Sequence, residues 1–156
     1  MVFEKNVDAA AAAQAVALGL GDAGFEVDIA PASGAPAAAG HPLVFIGASA
    51  GLLGIGSDAK EFIEANDWRG RSVALFFAVD AFGRKALESA AASLFNRGAL
   101  VRGTIGLRRG GLLGTGALLE IELARARAFG ERAGNSLRGI RVKKRQEKAR
   151  IPFYKK

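Results

Sequence analysis

The chain has 156 residues, of which 50% are hydrophobic and 24% charged, and its formal net charge is +7. This length suits one domain with a single core, and the apolar fraction excludes a wholly disordered chain. With no cysteine and one histidine, His41, the sequence excludes disulfides, iron–sulfur clusters, thiolate metal sites and His-rich metal sites.

A short apolar stub over residues 2–4 precedes the first predicted helix, residues 9–20, which consists almost entirely of alanine and other strong helix formers. Asp8 stands where an N-cap is expected, and Gly21 follows the last helical residue. The alternation of apolar and acidic residues over 25–29 predicts a half-buried strand. Three prolines then indicate a connection over 30–42.

Two apolar runs, 43–46 and 72–77, predict strands that are buried on both faces. A loop of small residues over 47–56 and a helix over 59–64 are expected to join them. The second strand leads into another short loop, 78–83.

The last third of the chain repeats this alternation of helix and strand. We expect a helix over 84–96, a strand over 100–107, a glycine-rich loop over 108–116 and a helix over 117–137. Apolar strands that alternate with helices predict an α/β fold, a three-layer doubly wound domain with a five-stranded parallel sheet.

Ligands of doubly wound domains bind outside the carboxyl ends of the strands, where the loops 4–8, 47–56 and 78–83 lie in the predicted order. None of these loops carries a Walker or dinucleotide glycine signature. No carboxylate pair is visible, and neither Ser49 nor His41 stands in a motif with a catalytic partner. The sequence therefore argues against a hydrolase.

The positive charge is concentrated at the C-terminal end. Residues 138–156 hold nine lysines and arginines against one glutamate, a net charge of +8, whereas residues 1–137 hold 13 basic and 14 acidic residues, a net charge of −1. We therefore divide the chain into a domain, 1–137, and a basic tail, 138–156. Such an asymmetry indicates an acidic partner for the tail, and the alternative is a solvated extension that aids solubility.

Gly139 is expected to break the last helix, so that residues 142–150 form a separate, very basic helix before Pro152. The candidate partner-binding residues are Arg141, Lys143, Lys144, Arg145, Lys148, Arg150, Phe153 and Tyr154. Basic residues with interleaved aromatics suit nucleic-acid phosphates and bases, and equally an acidic protein groove. We expect an acidic protein or a ribonucleoprotein rather than free DNA. No run of about 18 apolar residues and no signal-peptide pattern is visible, which favours a cytoplasmic protein.

Several segments, taken in order over residues 2–137, resemble the flavodoxin family. They are residues 15–20 and 24–27, 43–47, 61–63, 70–76, 97–99 with Gly103, and 126–132. Each piece is weakly specific alone, and their order and spacing carry the resemblance. It implies a flavodoxin-like sheet order, FMN as cofactor and electron transfer to a redox partner.

The resemblance also implies where FMN would lie. The phosphate would contact the first loop, Lys5, Asn6, Val7 and Asp8, and the flavin ring would contact Ala48, Ser49, Ala50, Gly51, Leu52 and Leu53 together with Asp80, Ala81, Phe82 and Gly83. The family's first loop is rich in serine, threonine and glycine, but this one has none and adds Glu4 and Asp8. Two carboxylates beside a phosphate dianion predict weakened or lost FMN binding.

Two hypotheses on function therefore remain open. In the first, the chain carries electrons on FMN. Since no hydrolytic or metal-dependent machinery is visible in the sequence, the chain is at most a flavin-dependent electron carrier among enzymes. In the second, the fold has no cofactor and serves as a binding or assembly subunit that docks on a protein or ribonucleoprotein through its basic tail.

Overall fold

The computed structural model describes residues 1–35, 40–111, 114 and 116–149, with side chains described up to Gly139. Its helices are α1 (Val7–Asp22), α2 (Ser57–Ala65), α3 (Gly83–Asn96) and α4 (Glu120–Ala149). Its strands are β1 (Val2–Phe3), β2 (Ala30–Pro31), β3 (Val44–Gly51), β4 (Gly54–Ile55), β5 (Ser72–Val79) and β6 (Leu100–Arg108).

The sheet has the order β2-β1-β3-β5-β6, and these five strands are parallel. The short β4 adds an antiparallel hairpin to the end of β3. Without β4, the order is that of a doubly wound flavodoxin-like sheet. The predicted fold class, a three-layer α/β domain with a five-stranded parallel sheet, is confirmed.

Two apolar cores cover the two faces of the sheet. Helices α2 and α3 pack on one face, where Trp68 is fully buried and its indole N–H donates to the Ile63 carbonyl at 2.7 Å. Helices α1 and α4 pack on the other face, where the Phe45 and Phe129 rings meet edge to face. The interior strand β5 is buried on both faces from Val73 to Val79 because it lies between these cores, as its almost entirely apolar sequence predicts.

The parallel helices α1 and α4 cross at two glycines. A Cβ atom added at Gly19 would overlap the carbonyl oxygen of Arg127, and one added at Gly130 would overlap the carbonyl oxygen of Val16. The absence of both side chains lets the helix backbones touch. At the rim of this contact, the Arg127 guanidinium donates to Asp22 at 2.8 Å, and this hydrogen bond holds the pKa of the Asp22 carboxyl below its ordinary value.

The strand predicted over 25–29 is wrong, since only Ala30–Pro31 pairs with β1. The apolar positions of the segment, Phe25 and Val27, pack against the core beneath α1 and α4. The alternation therefore reflects one buried face and not a hydrogen-bonded strand.

The loop predicted over 47–56 is also wrong at its start, because β3 continues to Gly51. The small residues are small because the strand is buried: Ala48 is inaccessible to solvent, and a Cβ at Gly47 would overlap the Phe76 ring. Small side chains here are a packing requirement of the sheet and do not mark a loop.

Two predicted helix boundaries are also wrong. The N-cap of α1 is Asn6 and not Asp8, since the Asn6 side chain accepts a hydrogen bond from the Ala9 amide at 2.8 Å. The break expected at Gly139 does not occur, because α4 is helical to Ala149. One glycine inside a helix costs only about 1 kcal/mol, which does not end a helix of this length.

Candidate functional site

The carboxyl ends of β1, β3 and β5 lie side by side at one edge of the sheet, as the parallel order predicts. The Glu4 amide, just after β1, donates to the Gly47 carbonyl at 2.8 Å. The Asp80 amide, just after β5, donates to the Ala50 carbonyl at 3.2 Å. The three segments that the sequence selects for a ligand are therefore neighbours in the structure.

The first segment is closed by its own side chains. Asn6 caps α1 and occupies the Ala9 amide, so this amide is not available to an anion. Lys5 and Val7 are exposed and lie outside the sheet. The remaining residue, Asp8, is 8% exposed and points into the protein.

The buried Asp8 carboxylate binds a segment that follows β6. One of its oxygens accepts a hydrogen bond from the Leu118 amide at 3.2 Å, and the other lies 2.8 Å from Nε of Arg109. This Nε is buried and its N–H does not point at the carboxylate, so the contact is an ion pair and not a hydrogen bond. A carboxylate and its counter-ion thus occupy the N-terminus of α1, where the helix dipole favours a negative charge.

Glu4, the second acidic residue of this loop, is also bound internally. Its carboxylate accepts a hydrogen bond from the Ser49 amide at 2.7 Å. It fills the space beside Gly56, because a Cβ added there would overlap the carboxylate. Glu4 therefore links β1 to the end of β3 and to the start of α2.

In the second segment, Ala48, Ser49, Ala50 and Gly51 belong to β3. Their backbone groups are used within the sheet, as the Ser49 carbonyl accepts from the Gly56 amide at 3.2 Å and the Ala50 carbonyl accepts from Asp80. Only Leu52 and Leu53, at the tip of the β3–β4 hairpin, are exposed.

The third segment is a tight turn before α3. One Asp80 carboxylate oxygen accepts a hydrogen bond from the Phe82 amide at 2.8 Å. Ala81 is exposed, the Phe82 side chain is 53% exposed, and Gly83 is buried as the first residue of α3. Gly114 lies against Asp80, since a Cβ at Gly114 would come within 2.8 Å of Cα of Asp80.

The comparisons with known proteins give a fold but no sequence family. No protein-family model matches the sequence, and no curated protein is significantly similar to it. Three solved structures illustrate the likeness in fold. A flavodoxin from the domain Archaea is 14% identical, with a TM-score of 0.71 over 88% of this chain and 96% of that one. The two-electron reduced flavodoxin of Megasphaera elsdenii is 15% identical, with a TM-score of 0.68 over 86% and 97%. A flavodoxin, WrbA-like protein from Agrobacterium tumefaciens is 18% identical, with a TM-score of 0.61 over 88% and 95%.

The fold of this chain is flavodoxin-like. At these identities the likeness extends to the fold alone, and the resemblance of the sequence segments is confirmed at that level. The flavodoxin-like domain places its three candidate loops together, but the first of them does not fit a phosphate. A phosphate at the N-terminus of α1 would have to displace the Asp8 carboxylate from Arg109 and Leu118.

The segment that closes this edge lies outside the three loops in which the sequence predicted a ligand site. Arg109 follows β6 directly, and Leu118 lies further along the chain, just before α4, where it forms an isolated antiparallel bridge with Arg109. A signal was present, because β6 is a parallel strand and its carboxyl end must lie at the same edge as the others. For that reason the glycine-rich stretch that follows Arg108 is expected at the same edge as the three predicted loops.

The candidate tail residues are described only in part. Arg141, Lys143, Lys144, Arg145 and Lys148 lie in the helical backbone of α4, and their side chains are outside the described set. Arg150, Phe153 and Tyr154 lie outside the described residues altogether. The last described contact with the domain is that of Arg138, whose guanidinium lies 6.0 Å from the centre of the Phe25 ring.

Within the part of the chain that the structure describes, no group of three or more histidine, aspartate or glutamate side chains could hold a metal ion. No helix among the same residues is both long and apolar enough to span a membrane.

Proposed function

We propose that this flavodoxin-like domain is a cofactor-free binding subunit. The observation that carries the proposal is the closure of the α1 N-terminus by Asp8, Arg109 and Leu118. In the flavin-binding arrangement that the resemblance implies, this helix end holds the 5′-phosphate. Here an internal carboxylate already uses the favourable field of the helix, and a dianion brought beside it would be repelled.

Flavin-linked electron transfer with a redox partner is the second candidate. The likeness of the fold to solved flavodoxins favours it. It requires FMN to bind through the hairpin tip at Leu52 and Leu53 and through the turn at Phe82, with no phosphate anchor in the first loop. The two candidates therefore differ in what the phosphate contributes to flavin binding.

We expect FMN to bind this protein no more tightly than riboflavin, because the phosphate has no site. The measurement is a titration of each flavin with the purified full chain, followed by quenching of flavin fluorescence. FMN affinity at least about 100-fold above that of riboflavin, or about 3 kcal/mol, would show a working phosphate site and refute the proposal. A protein purified yellow with bound FMN would refute it as well.

We further propose that residues 138–156 dock on an acidic protein or on a ribonucleoprotein. Their net charge of +8 supports this, since the domain itself is nearly neutral. The α4 backbone continues as a helix past Arg138 to Ala149, so residues 138–149 extend the last helix of the domain. In a basic helix of this kind, the charged side chains are distributed along the helix axis, which rises about 1.5 Å per residue.

Deletion of residues 139–156 should leave the domain folded and abolish a strongly salt-dependent association. The domain should stay folded because the last described contact between α4 and the rest of the domain is that of Arg138 with the Phe25 ring. At Gly139, the next residue, no atom lies within 4 Å of the position that a Cβ would take. Immobilised poly-glutamate serves as the probe for an acidic protein and an RNA oligonucleotide as the probe for a ribonucleoprotein. Thermal unfolding checks the fold.

A matched pair of variants separates the effect of the tail residues on binding from the effect of the protein's net charge. The first neutralises three tail residues and the second neutralises three exposed residues of the domain: Lys143→Gln, Lys144→Gln and Arg145→Gln against Lys85→Gln, Arg97→Gln and Arg132→Gln. Both lower the net charge by the same amount, and only the first should weaken retention. If the truncated protein retains both probes as the full chain does, the tail is a solubilising extension.

A further inference from the structure

The strand β6 forms one end of the sheet, with no neighbouring strand on its outer side among the described residues. Its backbone direction is fixed just after its end, where the Arg109 amide donates to the Val79 carbonyl at 3.2 Å and so points toward β5. Backbone direction alternates along a strand, so the amide and carbonyl groups of Thr104 and Gly106 point outward. Within the described part of the chain, these outward groups have no hydrogen-bond partner.

Two features limit the open part of this edge to Thr104 and Gly106. On the carboxyl side, the Arg108 amide also points outward, but it donates to the Glu122 carboxylate at 3.2 Å. On the amino side, the pairing with β5 skips Arg102, and this bulge bends the edge. A peptide strand typically pairs over about five residues. The open edge is therefore too short for an added strand and suits a small molecule.

The open edge lies in a groove of about 820 Å³, a volume typical of small-molecule sites. Helices α3 and α4 pack on opposite faces of the sheet, and both contact β6. Leu87 of α3 therefore lines the groove from one side of the sheet plane, and Arg125 of α4 lines it from the other. The groove is thus a slot that continues the plane of the sheet, which suits a flat ligand.

The charged side chains of this groove compensate one another. Arginines and carboxylates are equal in number when the internal partner of Arg109 is included: Arg84, Arg108, Arg109 and Arg125 against Asp8, Asp80, Glu88 and Glu122. Two of the pairs are close, since Arg84 lies 3.0 Å from Glu88 and Arg125 lies 2.6 Å from Glu122. The balance of charge favours a neutral ligand over an anion.

We infer that this groove binds a neutral purine-type base, with its hydrogen-bonding edge on β6 and its ring between Leu87 and Arg125. Adenine carries a donor, the N6 amino group, beside an acceptor, the ring nitrogen N1. The amino group would donate to the Thr104 carbonyl, and N1 would accept from the Gly106 amide, which no side chain of its own residue shields. The Arg125 guanidinium, held by Glu122, would stack on one face of the ring.

The groove is distinct from the predicted flavin contacts, although both border Asp80. Gly51 approaches the Asp80 carboxylate from the β3 side of β5, whereas the groove lies on the β6 side. The inference goes beyond the proposed binding function and does not depend on the loss of FMN. The flavin titration tests that loss separately, so the two can fail independently.

The probe is adenosine, titrated into the full-length protein and followed by calorimetry at about 0.15 M salt, which screens the charge of the basic tail. Three controls each change one property of the ligand. N6,N6-dimethyladenosine lacks the donor, 1-deazaadenosine lacks the acceptor, and AMP adds a phosphate. We expect adenosine to bind at least about tenfold more tightly than the first two controls, and AMP to bind within about threefold of adenosine.

Three outcomes of this titration overturn the inference. They are equal binding of adenosine and the two analogues, the absence of binding at millimolar adenosine, and a preference for AMP of about tenfold or more, which would show an anion site.

Arg125→Lys and Arg127→Lys are a matched pair of variants. Each replaces an α4 guanidinium that is about half exposed and paired with a carboxylate, Glu122 or Asp22. Only Arg125 lines the groove, so Arg125→Lys should weaken adenosine binding about fivefold through lost stacking, and Arg127→Lys should leave it unchanged. Equal affinities of the two variants would contradict a ring stacked on Arg125.

The Gly106 amide locates the bound base on the open edge. Gly106→Pro removes this amide and leaves the β5 ladder, and an added Cβ there comes no closer than 3.5 Å to Val79, so adenosine binding should be lost. In the unmodified protein, saturating adenosine should slow hydrogen exchange of the Gly106 amide at least about tenfold. Adenosine binding that leaves this exchange unchanged overturns the inference, whatever the stability of the proline variant.

Discussion

Gly130→Ala should destabilise the protein, whereas Gly21→Ala should stabilise it slightly. The added methyl group at Gly130 would overlap the Val16 carbonyl oxygen, so α1 and α4 must move apart. Overpacking a methyl group against a rigid backbone carbonyl lowers the free energy of unfolding by about 3 kcal/mol. The higher helix propensity of alanine offsets about 1 kcal/mol of this loss. A net loss of about 2 kcal/mol corresponds to a fall of about 5 °C in Tm for a domain of this size.

Gly21 is the matched control because it lies in the same helix pair, and a Cβ there has no neighbour within 4 Å. Its replacement should bring only the gain in propensity, about 0.5 kcal/mol. Gly19→Ala should behave like Gly130→Ala, since it approaches the backbone of α4 at Arg127. Thermal and urea unfolding measure all three variants. Equal stability of Gly130→Ala and Gly21→Ala would contradict the close crossing of the two helices.

Asp8→Ala should cost about 2 kcal/mol of unfolding free energy. It removes the charge partner of Arg109 and the acceptor of the Leu118 amide together. The expected loss stays below that of a fully buried pair because the Arg109 side chain is 30% exposed and water screens its charge. Asp8→Asn retains a hydrogen-bond acceptor for Leu118 and should lose about half as much.

Asp58→Ala is the control for the helix-dipole contribution, since Asp58 also stands in the first turn of a helix. It should cost less than about 0.5 kcal/mol at this exposed helix start. Urea denaturation compares the three variants. If Asp8→Ala cost no more unfolding free energy than Asp58→Ala, Asp8 would contribute only through the helix dipole. Its contacts with Arg109 and Leu118 would then not close the N-terminus of α1, and the proposed function would lose its support.

The expectation about FMN illustrates how far local sequence can predict a site. The resemblance implied a phosphate loop at residues 4–8, and the absence of hydroxyl residues there, together with Glu4 and Asp8, predicted that this loop is unsuitable for a phosphate. The structure adds what these carboxylates do: Glu4 binds the Ser49 amide, and Asp8 binds Arg109 and Leu118.

The sequence by itself determined the alternation of strands and helices and the parallel sheet, because burial on both faces makes the start of β3 and nearly all of β5 apolar, and helical segments differ from them in period. Only the tertiary structure decided the role of Asp8. Its partner Leu118 lies 110 residues away, and no local pattern encodes where that segment folds. The small residues at Gly47 and Gly130 have the same explanation: a loop, a helix end and a close contact all favour glycine, and only the neighbour in space distinguishes them.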